Sequence, residues 1–310
     1  MSHGHSHGHS HGHHHAHEHG HAPRSAAAFR WCVQLNAGLT GLQLTIGVAF
    51  GSLALIGDAV HNLGDVAGLL LGWGADHLSR RPPSGRFTYG YGRSTHMAAL
   101  INGLLVFAAG TVVVVEGMQR LHDPVPMQAD PVAWAALAGI VINLLSARLF
   151  GRDHHHDLNR RAAVLHLLTD AAVSAAVLVT ALLVKATGWA VLDALTAIGV
   201  GAVVMVSAWG LLREALALSL DAAPRGVSLA EIEAGLLALP GVVQVAELHV
   251  WGVSTSRLAL TAHLQCGEAA LQQPQELLHQ AETLLQHFGI RKSTLQLETG
   301  HDHAGHHHPS

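Results

Sequence analysis

Six apolar stretches, roughly 28–50, 53–79, 95–120, 131–151, 160–185 and 190–213, constrain this chain more than any other feature. Each is near the ~20 residues that cross the hydrocarbon core of a bilayer as a helix. In that medium every backbone N–H and C=O must be satisfied internally, and segments of this length do so as α-helices. The links are short: GS at 51–52, RRPPSGRFTYGYGR at 80–93, HDPVPMQAD at 122–130, RDHHHD at 152–157 and TGWA at 187–190. Asp, Glu, Lys and Arg make up only 12% of the residues, about half the share in a soluble domain. No basic run suits nucleic acid. Cys32 and Cys266 fall in different regions and are expected unpaired.

Arginine sets the expected orientation, because basic residues collect on the cytoplasmic side. Arg80, Arg81, Arg86 and Arg93 lie in the second link, and Arg148, Arg152, Arg160 and Arg161 flank the fourth. Arg24 and Arg30 open the first segment; Arg213 and Arg225 follow the sixth. With six alternating helices all of these fall on one side, and the other side has only Arg120 and Lys185. Both termini and the HHH link are therefore expected in the cytoplasm. The polar N-terminus lacks the apolar core of a secretory signal.

The chain divides into a histidine-rich tail at 1–25, a six-helix membrane domain at 26–222, a cytoplasmic domain at 223–300 and a second histidine-rich tail at 301–310. Both tails are low in complexity and expected to be disordered. Alternation of His with Ser and Gly fits a metal-collecting tail better than an affinity tag at the N-terminus; a tag remnant is a stronger rival at the C-terminus. In the third region Ser228 and Glu231 form a capping box ahead of a helix to about Leu239. Strands at 243–251 and 257–265, a helix at 274–288 and a strand at 293–298 follow. This αββαβ order predicts a small α+β domain with helices over one face of the sheet.

Two five-residue pieces inside the apolar stretches match: HNLGD at 61–65 and HLLTD at 166–170. Residues four apart share a helix face. His61 and Asp65 therefore project together from the second segment, and His166 and Asp170 from the fifth. If those helices face each other, two imidazoles and two carboxylates converge, a ligand set suited to tetrahedral Zn²⁺. An aspartate at mid-membrane costs roughly 2.5–3.5 kcal/mol, so ionisable residues there mark ion pathways. The plainer alternative, two ion pairs stapling helices, leaves the repetition unexplained. Metal needs neutral imidazole and ionised carboxylate, and histidine titrates near working pH. Protons and metal therefore compete for the same atoms, which is the chemistry of an antiporter.

Asp58, one turn before His61, suits either an ion exit or a cap on the second helix. Asn36 and Gln43 share a face of the first segment, and Asn143 lies in the fourth; such residues are usually interhelical glue. Gly64, Gly68 and Gly72 form a small-residue stripe expected to admit a close helix. His154, His155 and His156 precede the fifth helix, where they suit either handing metal to the site or a solvated polar loop. His249, His263, His279 and His287 are candidates for regulatory metal in the cytoplasmic domain, though strand alternation gives no four-ligand set.

The stretches GSLALIGDAVHNLGDV, RRPPSGRFTYGYGR, AALING, DLNRRAAVLHLLTDAAVSA and ELHVWGVSTSRLALTAHL together resemble the cation diffusion facilitators, in particular the bacterial zinc exporters with two HxxxD motifs. The resemblance implies six membrane helices with cytoplasmic ends, a ferredoxin-like C-terminal domain, and a homodimer in a bacterial inner membrane that exports divalent cations in exchange for protons. The family's transport quartet falls on His61, Asp65, His166 and Asp170, and its first-helix Asn on Asn36. Its later Glu is Gln43 here. Where many relatives have HDLH this chain has AELH, so Ala246 replaces the first histidine, while His249 and His263 match. The transported ion is expected to be Zn²⁺, with Co²⁺, Ni²⁺ or Cd²⁺ as alternatives of similar ligand taste, and no prosthetic group is implied. Two rivals from other classes are an intramembrane metalloenzyme, which would leave one metal position open for water, and a passive channel or buffer, which a tight four-ligand site would serve poorly.

Overall fold

The computed structural model describes residues 23–150, 158–254 and 257–299. The membrane domain comprises α1 (Pro23–Phe50), α2 (Leu53–Ser79), α3 (Ser94–His122), α4 (Ala129–Phe150), α5 (Leu158–Thr187) and α6 (Val191–Ser219). Among the described residues α2 to α6 are each long and apolar enough to cross a bilayer; α1, at 28 residues, is the sixth expected span. The small domain follows with α7 (Leu229–Leu237), β1 (Val242–Ser254), β2 (Arg257–Cys266), α8 (Glu268–Leu271), α9 (Pro274–His287) and β3 (Ile290–Thr299). The expected αββαβ order is present, with the short α8 added.

The turns between elements have local causes. Gly51 links α1 to α2 at φ +80°, where an added Cβ would lie 2.7 Å from the Pro126 carbonyl oxygen. Ser52 then caps α2: its Oγ accepts from the Leu55 amide at 3.1 Å. This corrects the reading of Asp58 as a cap, because Ser52 already occupies that position six residues earlier. Ser228 caps α7 through the Glu231 amide at 3.2 Å, as its sequence signature predicts.

α3 and α6 pack along their lengths, as do α4 and α5. α1 lies against α2 and α4, while α2 also meets α3, α6 and, more sparsely, α5. The turns α1–α2, α3–α4 and α5–α6 share one end of the bundle, called the far end below; the α2–α3 link and the small domain share the other, the domain end. Apolar packing is densest toward the far end, around Leu53, Leu55, Val113, Val132 and Val177. Toward the domain end α2, α3, α5 and α6 instead surround a cavity of about 490 Å³. The glycine stripe serves only part of its expected role: Cβ atoms at Gly64 and Gly68 would strike Val106 and Asn102 of α3, but Gly72 has open space.

In the small domain β1 and β2 are antiparallel and β3 joins β2 in parallel, in the order β1-β2-β3. Ile232 and Leu236 of α7 and Leu277 and Leu285 of α9 bury one face of the sheet against Leu260 and Leu264. The other face meets the α2–α3 link around Trp251 and His249.

Candidate metal centre

α2 and α5 bring the two repeated motifs together. Placing the apolar residues of α2 against α3 and α6 turns His61 and Asp65 toward α5, and the same register on α5 turns His166 and Asp170 back. Ligand atoms from all four lie within 4.8 Å of one another. The pairing is crossed: His61 Nε2 is 3.1 Å from Asp170 Oδ1, and His166 Nε2 is 3.2 Å from Asp65 Oδ2. Within each helix the separations are 3.9 Å for His61–Asp65 and 3.7 Å for His166–Asp170. A regular tetrahedron with ligands about 2.0–2.1 Å from its centre has edges of about 3.3–3.4 Å. The four edges bracket that value, so a small inward movement of the side chains would close them on one ion. The rings stand edge to face, 78° apart, so their nitrogens converge without stacking.

The site is asymmetric. The side chain of Asp170 is 4% exposed and that of His61 13%, against 40% for Asp65 and 48% for His166. The exposed pair faces the cavity on the domain-end side, which Asp65, His166 and Asp170 line together with Asn36, Asn62 and Asn102. On the far-end side, Asp58 Oδ2 accepts from Gln43 Nε2 at 2.8 Å and from Ser174 Oγ at 2.7 Å, and Gln43 Oε1 accepts from Asn62 Nδ2 at 3.2 Å. Asp58, Gln43 and Ser174 are fully buried, so a polar but closed layer backs the quartet, with Asn62 joining it to the cavity wall.

The remaining expected residues separate. Asn36 lines the cavity, and Gln43, on the same face of α1, ties α1 to α2. Asn143 is buried, and its amide makes no hydrogen bond among the described residues, so it is not the interhelical glue expected of it. His154, His155, His156 and the two histidine-rich ends lie outside the described residues. His263 is engaged by Glu298 at 2.8 Å and lies 3.6 Å from Glu247. His249 is exposed beside Trp251. Among the described residues the quartet is the one group with metal-ligand geometry, and neither His249 nor His263 joins such a group.

Several residues were not singled out from sequence. Ser174 continues the row His166, Asp170 at four-residue spacing, a signal that was present in the pattern. Asn62 and Asn102 are legible only once α2, α3 and α5 are placed. Asp193 of α6 holds the start of α2, accepting from Ser52 Oγ at 2.6 Å and the Leu53 amide at 2.7 Å; a span of about 140 residues hides that pairing from local reading.

The comparisons with known proteins cover most of the described chain. Residues 32–218 match the cation efflux transmembrane domain, and residues 224–300 match the cytoplasmic domain of cation efflux proteins. The zinc transporter ZitB of Escherichia coli is 33% identical over 299 residues, covering 88% of this chain and 92% of ZitB. The metal cation efflux system protein CzcD of Cupriavidus metallidurans is 32% identical over 271 residues, 86% of this chain and 85% of CzcD. A cadmium, cobalt and zinc/H(+)-K(+) antiporter of Bacillus subtilis is 28% identical over 261 residues, 83% and 84% of the two chains. Two consecutive domain matches, and relatives that align over more than four fifths of both chains, place this multi-pass membrane protein in the cation efflux, or cation diffusion facilitator, family.

Proposed function

We propose that the protein exports divalent cations, Zn²⁺ foremost, in exchange for protons, and that His61, Asp65, His166 and Asp170 carry the ion. The supporting observation is the convergence of those four side chains from α2 and α5 in a cavity open toward one end and backed by a closed layer on the other. Two carboxylates balance a dication, and two imidazoles favour Zn²⁺ over hard cations. The arginine distribution assigns the domain end to the cytoplasm, so this conformation faces inward. Both termini then lie in the cytoplasm, and the bilayer is a bacterial inner membrane. The relatives' identities, a zinc transporter and a cadmium, cobalt and zinc/H(+)-K(+) antiporter, support this reading. A second copy of the chain, joined through the cytoplasmic domain, completes the transporter.

Coupling follows from competition. Ordinary imidazole titrates near 6.5, so protons arriving from an acidic outer face displace metal, and the protonated site returns inward to release them. In proteoliposomes carrying an internal pH dye, Zn²⁺ should drive proton movement that saturates with metal, and an imposed pH gradient should in turn drive saturable Zn²⁺ movement. His166→Ala should abolish it. Metal flux without proton flux would instead make the protein a passive pore. A panel of Zn²⁺, Co²⁺, Ni²⁺, Cd²⁺ and Mn²⁺ in the same assay orders the preference, with Mn²⁺ expected last.

A further inference from the structure

The closed layer behind the quartet contains a charged group that its surroundings leave incomplete. Asp58 precedes His61 by three residues and Ser174 follows Asp170 by four. Both therefore sit about one 5.4 Å turn toward the far end. Asp58 is 0% exposed. Its Oδ2 takes both available donors, Gln43 Nε2 and Ser174 Oγ, while its Oδ1 has no hydrogen-bond partner among the described residues. α4 closes the remaining side: a Cβ at Gly139 would lie 2.8 Å from Ser174 Oγ and 2.9 Å from Gln43 Nε2. A side chain there would strike both of the groups that donate to the carboxylate; glycine lets α4 pack directly against them.

A helix staple does not need this chemistry. A neutral amide at position 58 would accept from the same two donors without burying a charge. A carboxylate with one free oxygen, buried among the helices, calls for a positive partner, and among the described residues no lysine or arginine pairs with it; the nearby group that can carry positive charge is His61 of the quartet itself. The partner that fits is the transported cation, one turn further along its path.

We propose that Asp58, with the hydroxyl oxygen of Ser174 and the amide oxygen of Gln43, is an exit subsite that takes the divalent cation from the quartet when the far end opens. The set is all oxygen. Zn²⁺ that has left two imidazoles for oxygen donors is held less tightly, so the ion moves down a gradient of ligand strength as protons occupy the histidines. The subsite forms only after the Gln43 and Asn62 hydrogen bonds part, which ties its availability to the outward conformation. It rests on the exchanger reading above, and its test separates the two.

In proteoliposomes Asp58→Asn should lower turnover at least tenfold, while Co²⁺ binding to the quartet, followed by its visible absorption in detergent, stays within about twofold of wild type. Ser174→Ala should lower turnover less, by several-fold. Asp58→Cys places a thiolate on the path and should trap Cd²⁺. A thiolate-to-cadmium ultraviolet band should then grow during turnover beyond the wild-type signal of Cys32 and Cys266, and Cd²⁺ flux should stall while the protein remains folded. Wild-type turnover in Asp58→Asn, loss of quartet affinity in step with turnover, or absence of the cadmium band would each overturn the subsite. If Asp58→Asn does not fold, Asp58→Cys and Ser174→Ala decide the matter alone. Failure of the exchanger reading would show differently, as wild-type protein without metal-driven proton flux.

Discussion

At the scale of single residues the four side chains of the quartet are not equivalent. Asp170 is nearly sealed and holds His61, while Asp65 shares its carboxylate between solvent and His166. A charge in a dry environment acts more strongly on an ion than one screened by water. Asp170→Asn should therefore weaken Co²⁺ binding roughly tenfold more than Asp65→Asn, a difference of about 1.4 kcal/mol, measurable by titration calorimetry. Equal losses would mean that burial does not govern the ligand strengths. Outside the membrane, Cys266 gives a second residue-level expectation. It is 3% exposed in the sheet core, and burial pushes its thiol above the ordinary value. The folded state thus favours the neutral thiol. Its contribution to stability is intact at neutral pH and declines as pH rises past the ordinary thiol range, where the unfolded chain ionises first. In a Cys32→Ser background, maleimide should label Cys266 only after unfolding.

At the scale of elements, α2 carries half of the quartet, and its start is fixed by two other helices. Asp193 accepts from Ser52 Oγ and from the Leu53 and Ala54 amides. Arg120 donates to the Gly51 carbonyl at 2.8 Å. Removing a buried acceptor leaves its donors unsatisfied at about 1–3 kcal/mol, so Asp193→Ala should cost at least that much and lower the detergent melting temperature, with Asp193→Asn falling between. The glycines of α2 offer a paired test. At Gly64 a Cβ would lie 2.6 Å from Val106 Cγ2, a short branched side chain with little room to give, whereas Gly72 has nothing within 4 Å. Gly64→Ala should destabilise, while Gly72→Ala should be neutral or gain up to about 1 kcal/mol from helix propensity. The sequence made the six helices legible through their length and the quartet through HxxxD spacing, because both are local periodicities. It gave the glycine stripe as one unit, since spacing alone cannot say how far the partner helix runs alongside. Asp193 was silent for the opposite reason: an acid in the first turn of a helix usually answers that helix's own dipole, and here it caps another.

At the scale of the whole molecule, the seam between the cytoplasmic domain and the bundle is specific. Arg257 donates to the Ser79 carbonyl at the end of α2, and Arg93 pairs with Asp221 beyond α6. His96, 2% exposed near the start of α3, packs against Gly252 of β1. Gly92 is the tightest point: a Cβ there would overlap the Val253 carbonyl oxygen, a backbone atom that no rotamer change can move. None of this was readable in advance, because Gly92 sits in a Gly- and Tyr-rich link whose composition says loop and whose partner lies about 160 residues on. Gly92→Ala therefore isolates the seam. The cytoplasmic domain keeps its own core around Ile232, Leu264 and Leu285, and the quartet lies several turns away, so neither should lose its structure. Hydrogen exchange should rise in residues 79–93 and at the end of β1. Co²⁺ affinity should hold within about twofold, and turnover should fall several-fold. Unchanged turnover with a visibly loosened seam would make the domain a passenger; lost Co²⁺ affinity would show that the strain reaches α2 itself. A drop in turnover alone is the expected result, because a bundle that must rock about its ion needs the two parts to move as connected bodies.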